Sequence, residues 1–109
     1  MKEQEIVKSI LEWLSWKKIF HWRNNTGMIF SEYKGKKRAF KMGQVGSPDI
    51  FVVVPVKLYE TNYGQIIGLE VKAEKGKQSE SQLEWQKNFE KAGGCYLLVR
   101  SLDEVIKQL

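Results

Sequence analysis

Two carboxylates and one ammonium group stand at the ends of two successive apolar runs of this chain. Asp49 begins the first run, and Glu70 and Lys72 close the second. Because side chains alternate between faces in a strand, Glu70 and Lys72 are predicted to share one face, with Leu69 and Val71 on the other, facing a core. Charged groups at the end of an apolar strand are costly to desolvate unless they are paired or bind a metal. This cost indicates a functional site.

These groups suit the hydrolysis of a phosphodiester bond. That reaction must neutralise charge on the phosphate, activate a water molecule and stabilise the leaving oxygen, and Mg²⁺ held by one or two carboxylates serves all three needs. Asp49 and Glu70 are the candidate metal ligands, and the backbone carbonyl of Val71 is a candidate third. Lys72 is a candidate to orient or deprotonate the attacking water, or to stabilise the phosphate. Alternatively, Asp49 caps a turn, and Glu70 and Lys72 form a solvated strand end.

Hydrophobic periodicity and turn residues predict the elements that must position these groups. In chain order, they are a helix at 3–16, a strand at 18–24, a turn at 24–27, a hairpin (or a strand and a loop) at 28–42 with its tip at 34–37, central strands at 49–56 and 64–73 around a loop at 59–63, a helix from the N-cap Ser79 to Gly93-Gly94, a strand at 95–100 and a short helix from Ser101. The strand–helix–strand unit near the end predicts a parallel crossover. We expect an α/β domain with one sheet and flanking helices.

Length and composition indicate one folded domain over residues 1–109. A hydrophobic content of 42% argues against disorder. The single cysteine, Cys95, permits no internal disulfide and fits a reducing compartment. The start of the chain does not read as a signal peptide, and no apolar run approaches the roughly 20 residues of a membrane span. These features predict a cytoplasmic protein without a membrane partner.

Positive charge is concentrated in the first half of the chain. The net charge is +5, and residues 17–41 contain eight basic residues and one acidic residue, so the remainder is slightly acidic. Such a block predicts a polyanionic partner such as nucleic acid. The alternative is an ordinary solvated loop. The cations at the predicted hairpin tip and directly after it are Lys34, Lys36, Lys37 and Arg38.

Several other kinds of site are excluded by residue type. With one histidine and one cysteine, zinc fingers, HNH-type nucleases and Cys-His catalysis lack their residues. The glycines do not form a phosphate-binding loop. The tryptophans are expected to pack in the core or on helices, although an exposed Trp13 or Trp16 would suit a dimer surface.

The ordered set of motifs resembles the VRR-NUC family of the PD-(D/E)XK nuclease superfamily. The segments that carry this resemblance are 22–27 (WRNNTG), 46–49 (GSPD), 69–72 (LEVK), Gln82 and Gly93-Gly94. Together they cover nearly the whole chain in the family's order. The resemblance implies a restriction-endonuclease-like core, with a mixed sheet flanked by helices. It also implies cleavage of DNA that depends on Mg²⁺ or Mn²⁺.

The resemblance also implies an acidic residue from the first helix at the metal site. Glu3 and Glu5 both compete for this role, and Glu3 is preferred because it shares a helix face with the apolar residues Ile6 and Val7. Alternatively, either acid simply favours the N-terminal end of the helix dipole.

Gln82 is implied to face the site, where it would bond the attacking water or a phosphate. It also stands three residues after Ser79, the spacing of a helix capping box. We expect these roles to exclude each other, because one side chain cannot easily serve both. Arg23 and Asn24 are expected to contact DNA phosphates, and the hairpin cations are expected to follow the DNA backbone without reading bases.

These observations predict a metal-dependent, structure-specific DNA endonuclease. A small domain without a separate recognition module suits the reading of DNA shape. A homodimer would place two sites on opposite strands of a branched substrate such as a Holliday junction. The alternatives are a flap or nicking nuclease, the nuclease part of a larger assembly, an RNA-directed nuclease, or a non-catalytic nucleic-acid-binding module with the same fold.

Overall fold

The computed structural model describes residues 1–24, 28–41 and 43–109. The elements are α1 (Glu3–Trp16), β1 (Phe20–Arg23), β2 (Met28–Tyr33), β3 (Lys36–Lys41), β4 (Ile50–Leu58), β5 (Thr61–Val71), α2 (Glu80–Lys91), β6 (Cys95–Val99) and α3 (Leu102–Gln108). This order confirms the predicted helices and central strands. Of the turn predicted at 24–27, residues 25–27 lie outside the described part of the chain.

Four strands form a mixed sheet in the order β1-β4-β5-β6. The first two pairings, β1 with β4 and β4 with β5, are antiparallel. Strand β6 returns through α2 to lie parallel to β5, which confirms the predicted parallel crossover. The mixed sheet flanked by helices is therefore as expected.

The core lies between the sheet and α1. Four apolar residues of α1 recur at helical spacing and are buried, and they pack against buried residues of β4, β5, β6 and α3. Each such side chain contributes about 1.5–3 kcal/mol by leaving water. The α1 residues are Ile6, Val7, Ile10 and Leu14. None of the helices in the described ranges is long and apolar enough to cross a membrane.

The opposite face of the sheet carries α2 and a layer of aromatic rings. Trp85 and Phe89 of α2 stack at 4.7 Å, and Phe51 of β4 contacts both of them. Because Phe51 alternates with the core residues Ile50 and Val52, α2 must lie across the sheet from α1. Glu70 alternates with Leu69 and Val71 in the same way, so its side chain points toward α2.

The central strands are longer than predicted. Residues 61–63, which we expected in a loop, belong to β5, and only Tyr59 and Glu60 separate the two strands. Tyr59 adopts a positive φ of 56°, which a two-residue hairpin turn requires. The loop prediction failed because the sequence carries no glycine or asparagine at this turn.

Residues 28–41 form a complete hairpin that is a sheet of its own. Among the described residues, strands β2 and β3 pair only with each other, so the expectation of one single sheet is wrong. Within the described residues, the hairpin alternative of the prediction at 28–42 is therefore confirmed. The two-residue turn Lys34-Gly35 lies at the expected tip, with positive φ at both positions.

Candidate active site

Asp49 lies beside the end of β5 because of the antiparallel pairing of β4 with β5. Ile50 is in register with Leu69, and the backbone N–H of Asp49 donates to the carbonyl of Leu69 at 3.1 Å. The Val71 N–H donates to Oδ2 of Asp49 at 2.7 Å. The Val71 carbonyl stays a predicted ligand.

Glu70 is buried, with 2% of its surface exposed, and three side chains surround its carboxyl group. Gln82 Nε2 donates to Oε1 at 3.1 Å, and the Tyr96 hydroxyl donates to Oε2 at 3.5 Å. Lys72 Nζ lies 3.7 Å from Oε1. The structure thus brings together four of the predicted site residues, Asp49, Glu70, Lys72 and Gln82. It also confirms that Glu70 and Lys72 share a face, with Leu69 and Val71 in the core.

The two carboxyl groups hold protons more tightly than usual. Burial, and next the charge of Asp49, raise the pKa of Glu70 to about 8, although Lys72 opposes this rise. Burial also raises the pKa of Asp49, against the lowering effect of the Val71 N–H. Two carboxylates so close together cannot both be charged at low cost. A proton shared by the pair, or a cation beside it, relieves this cost.

Gln82 serves the site and the helix cap at once, so our expectation that these roles exclude each other is wrong. Its Oε1 accepts the Ser79 N–H at 2.9 Å, and its own N–H donates to Ser79 Oγ at 3.2 Å, which completes a capping box. Its Nε2 remains free to donate to Glu70. Both are possible because a carboxamide has an acceptor and a donor that point in different directions.

The segment before Asp49 is held by Asn24 at the end of β1. Asn24 Nδ2 donates to Ser47 Oγ at 2.8 Å and to the Pro48 carbonyl at 2.9 Å, and its N–H donates to the Asp49 carbonyl at 2.8 Å. Gly46, with a φ of +87°, lets this segment approach α2, since a Cβ there would overlap the backbone of Ser81. Asn24 was predicted to contact DNA phosphates. In this structure its side-chain amide instead joins the end of β1 to the segment before Asp49.

Glu3 extends from the start of α1 toward the segment after Lys72. Its Oε1 is 3.4 Å from the Ala73 N–H, and its charge raises the pKa of Asp49 and of Glu70. No group of three or more histidine, cysteine, aspartate or glutamate side chains close enough to hold a metal occurs among the described residues. The role of Glu3 as a metal ligand stays a prediction.

The predicted phosphate-contacting cations lie outside this cluster. Arg23 Nη2 donates to Gln4 Oε1 at 2.8 Å, on the α1 side of the sheet. The predicted hairpin cations are exposed, and they are Lys34, Lys36, Lys37 and Arg38.

The oxygen donors at the strand ends fit a Mg²⁺ ion. Mg²⁺ keeps several waters and needs only one or two carboxylates plus substrate phosphate, rather than a cage of protein ligands. Asp49 and Glu70 supply two hard oxygen donors, and their mutual repulsion favours a cation. No family model, curated protein or solved structure matches this chain.

Two residues that the sequence analysis missed support the site. Tyr96 accepts from Gln78 Nε2 at 3.1 Å and donates to Glu70, so it links β6 to the carboxyl group. Arg100 donates from Nη1 to the carbonyls of Ala73, at 2.7 Å, and Gly76, at 2.8 Å, and so fixes the segment after Lys72. A tyrosine on a short strand carries no sequence signal for this role, because only the parallel β5–β6 register brings Tyr96 next to Gly68 and Glu70.

Proposed function

We propose that this protein is a metal-dependent DNA endonuclease of the VRR-NUC type that hydrolyses phosphodiester bonds. The observation that carries the proposal is the pair of carboxyl groups, buried Glu70 and half-buried Asp49, at adjacent strand ends with Lys72 beside them. Burial of two acids that repel each other costs stability, and a core of this size has little stability to spare. Such a cost is typical of sites that bind a cation or perform acid–base chemistry.

The chain's own residues divide the work of this proposed reaction. Asp49 is held by the Val71 N–H, and Glu70 is oriented by Gln82 and Tyr96, so both carboxylates are fixed before substrate arrives. Mg²⁺, or Mn²⁺, would supply charge neutralisation at the phosphate and a more acidic water. It would be held by Asp49, Glu70 and the Val71 carbonyl.

Lys72 supplies the fixed positive charge of the site. Its ammonium lies within 4 Å of Glu70, and its side chain is 12% exposed, so it keeps access to an incoming phosphate. An ammonium in this position can stabilise the phosphate as charge develops or orient the attacking water, whereas only the neutral amine, formed by loss of a proton, can take up the proton of that water. Either role requires the amine itself.

We further propose that the substrate is branched DNA, such as a Holliday junction, and that the protein acts as a homodimer. The net charge of +5 and the exposed cations of the hairpin favour a polyanion. Two sites related by a two-fold axis would face the two strands to be cut.

The experiment is a cleavage assay on junction, flap, duplex and single-stranded DNA with Mg²⁺ or with EDTA. We expect cleavage only with metal, and a loss of about 100-fold or more in Asp49→Ala and Lys72→Ala. Lys57→Ala, which removes a charge from the far end of β4, is the matched control and should cleave normally.

Different failures separate the alternatives. Tight DNA binding by the wild type without metal-dependent cleavage would instead indicate a non-catalytic nucleic-acid-binding module. Preference for flaps or nicked duplexes would replace the junction as substrate. Undiminished cleavage by Asp49→Ala would remove the assignment of the site.

A further inference from the structure

The two faces of the β2–β3 hairpin carry different charge. Residues directly opposite each other in a hairpin point to the same face, and consecutive residues point to opposite faces. Tyr33 is in register with Lys36, while Glu32 is in register with Lys37. The two pairs therefore lie on opposite faces, although they are adjacent in sequence.

One face is cationic. It presents Tyr33, Lys36 and Arg38, and all three side chains are exposed. The turn residue Lys34 adds to it, because its Nζ lies 5.5 Å from the centre of the Tyr33 ring. We call these four residues the cationic face.

The other face is neutral over the same length. Its described charged side chains are Glu32 and Lys37, which stand directly across from each other and offset each other's charge. Ala39, the next described side chain on that face, is uncharged. The difference in charge between the two faces is invisible in the sequence, where Lys36, Lys37 and Arg38 are consecutive.

We propose that the cationic face binds the phosphate backbone of DNA and that Lys37 takes no part in this contact. Lys36 and Arg38 stand two residues apart on the same side of a strand, a separation of about 7 Å, which is close to the spacing of neighbouring phosphates along a DNA strand. Lysine, arginine and tyrosine side chains commonly donate hydrogen bonds to the phosphate oxygens of DNA. The inference rests on the proposed function only for the identity of the polyanion.

The contact is independent of base sequence. The cationic face offers ammonium, guanidinium and hydroxyl donors, and these bind phosphate oxygens without distinguishing base pairs. Each phosphate that such a cation neutralises releases counterions, so the contact must appear in the dependence of affinity on salt.

The test measures DNA binding by fluorescence anisotropy, with the full chain, a labelled four-way junction and EDTA to prevent cleavage. Titrations in about 50–200 mM salt give the slope of log affinity against log salt. Lys36→Gln and Arg38→Gln should each make this negative slope shallower by about one unit and weaken binding several-fold. Lys37→Gln, which removes the same charge one residue away, should leave the slope unchanged.

Each outcome decides the inference separately from the proposed function. An equal loss of slope in Lys36→Gln and Lys37→Gln would overturn the assignment of a binding face, as would unchanged slopes in Lys36→Gln and Arg38→Gln. The expected slopes with no cleavage in Mg²⁺ would support the cationic face while the nuclease proposal fails. Metal-dependent cleavage by the wild type, together with unchanged DNA binding in every hairpin variant, would support the nuclease proposal and overturn the cationic face. All of these side chains are exposed, so the variants should fold, which circular dichroism checks.

Discussion

Nε2 of Gln82 lies 3.1 Å from Oε1 of Glu70, while Oε1 of the same carboxamide accepts the Ser79 N–H at 2.9 Å. A single side chain therefore joins the first turn of α2 to the end of β5. The capping box fixes where the helix begins, and this position fixes the donor that faces the buried carboxyl group.

The cap and the site can be separated by substitution. Ser79→Ala should lower the free energy of unfolding by about 1 kcal/mol and leave cleavage largely intact. Gln82→Glu should keep the capping box, because glutamate is also a capping-box residue, but should reduce metal affinity or cleavage by about 10–100-fold, because it cannot donate to Glu70. Thermal unfolding and cleavage kinetics measure the two effects. Normal cleavage by Gln82→Glu would show that this contact is dispensable.

Without metal, the free energy of unfolding should fall as pH rises. Glu70 has a pKa of about 8 in the folded protein against an ordinary value of 4.5, so the folded state binds more protons between these values. This contribution is complete below pH 4.5 and is lost as pH rises through about 8. Urea unfolding in EDTA at several pH values measures it. In Glu70→Gln the fall in the free energy of unfolding as pH approaches about 8 should disappear. A wild-type free energy of unfolding that rises between pH 4.5 and about 8 would contradict the assignment.

Metal binding should release a proton from the same group. Below pH 8, a cation must displace the proton that Glu70 holds, so Mg²⁺ affinity should rise about tenfold per pH unit and level off above about pH 8. Calorimetric titration in two buffers of different ionisation enthalpy at pH 7 should show release of close to one proton. Affinity that is constant from pH 6 to 8 would refute this coupling.

Tyr96→Phe should weaken the site without preventing folding. The ring stays packed against Trp85, and the substitution removes only the hydroxyl that contacts Gln78 and Glu70. We expect a loss of about 0.5–1.5 kcal/mol in stability, and a roughly tenfold rise in the Mg²⁺ concentration for half-maximal cleavage, with little change in kcat at saturating metal. Tyr63→Phe, on an exposed tyrosine of β5, is the matched control. Equal effects of the two substitutions would contradict the assignment of Tyr96 to the site.

Asn24→Ala should act on the position of Asp49 rather than on DNA contact. It removes two hydrogen bonds to the segment before Asp49, so it should destabilise the protein by about 1–3 kcal/mol and reduce cleavage. The salt dependence of DNA binding should not change. Arg23→Gln, one residue away with an exposed partner, should change stability by less than about 0.5 kcal/mol. A reduced salt slope in Asn24→Ala would restore its predicted role at phosphate.

Local pattern was sufficient to predict much of the fold. The helical spacing of Ile6, Ile10 and Leu14 gave α1 with its bounds, and the Ser79 cap and Gly93 gave both ends of α2. Alternation along β5 placed Glu70 opposite the core. Each of these predictions depends on neighbours within a few residues, which the sequence shows directly. The turn at Tyr59 was missed because its backbone conformation is imposed by the pairing of β4 with β5 and not by its residue type.

Residue chemistry alone determined which groups were candidates for the site, since carboxylates and an ammonium at the ends of apolar strands demand partners. Only the tertiary structure determined which residues are those partners. The β5–β6 register brings Tyr96 to Glu70, the crossing of α2 over the sheet brings Gln82, and the end of β1 holds Asp49 through Asn24. These contacts join residues 12 to 26 positions apart, and they depend on how strands and helices pack, which no local pattern specifies.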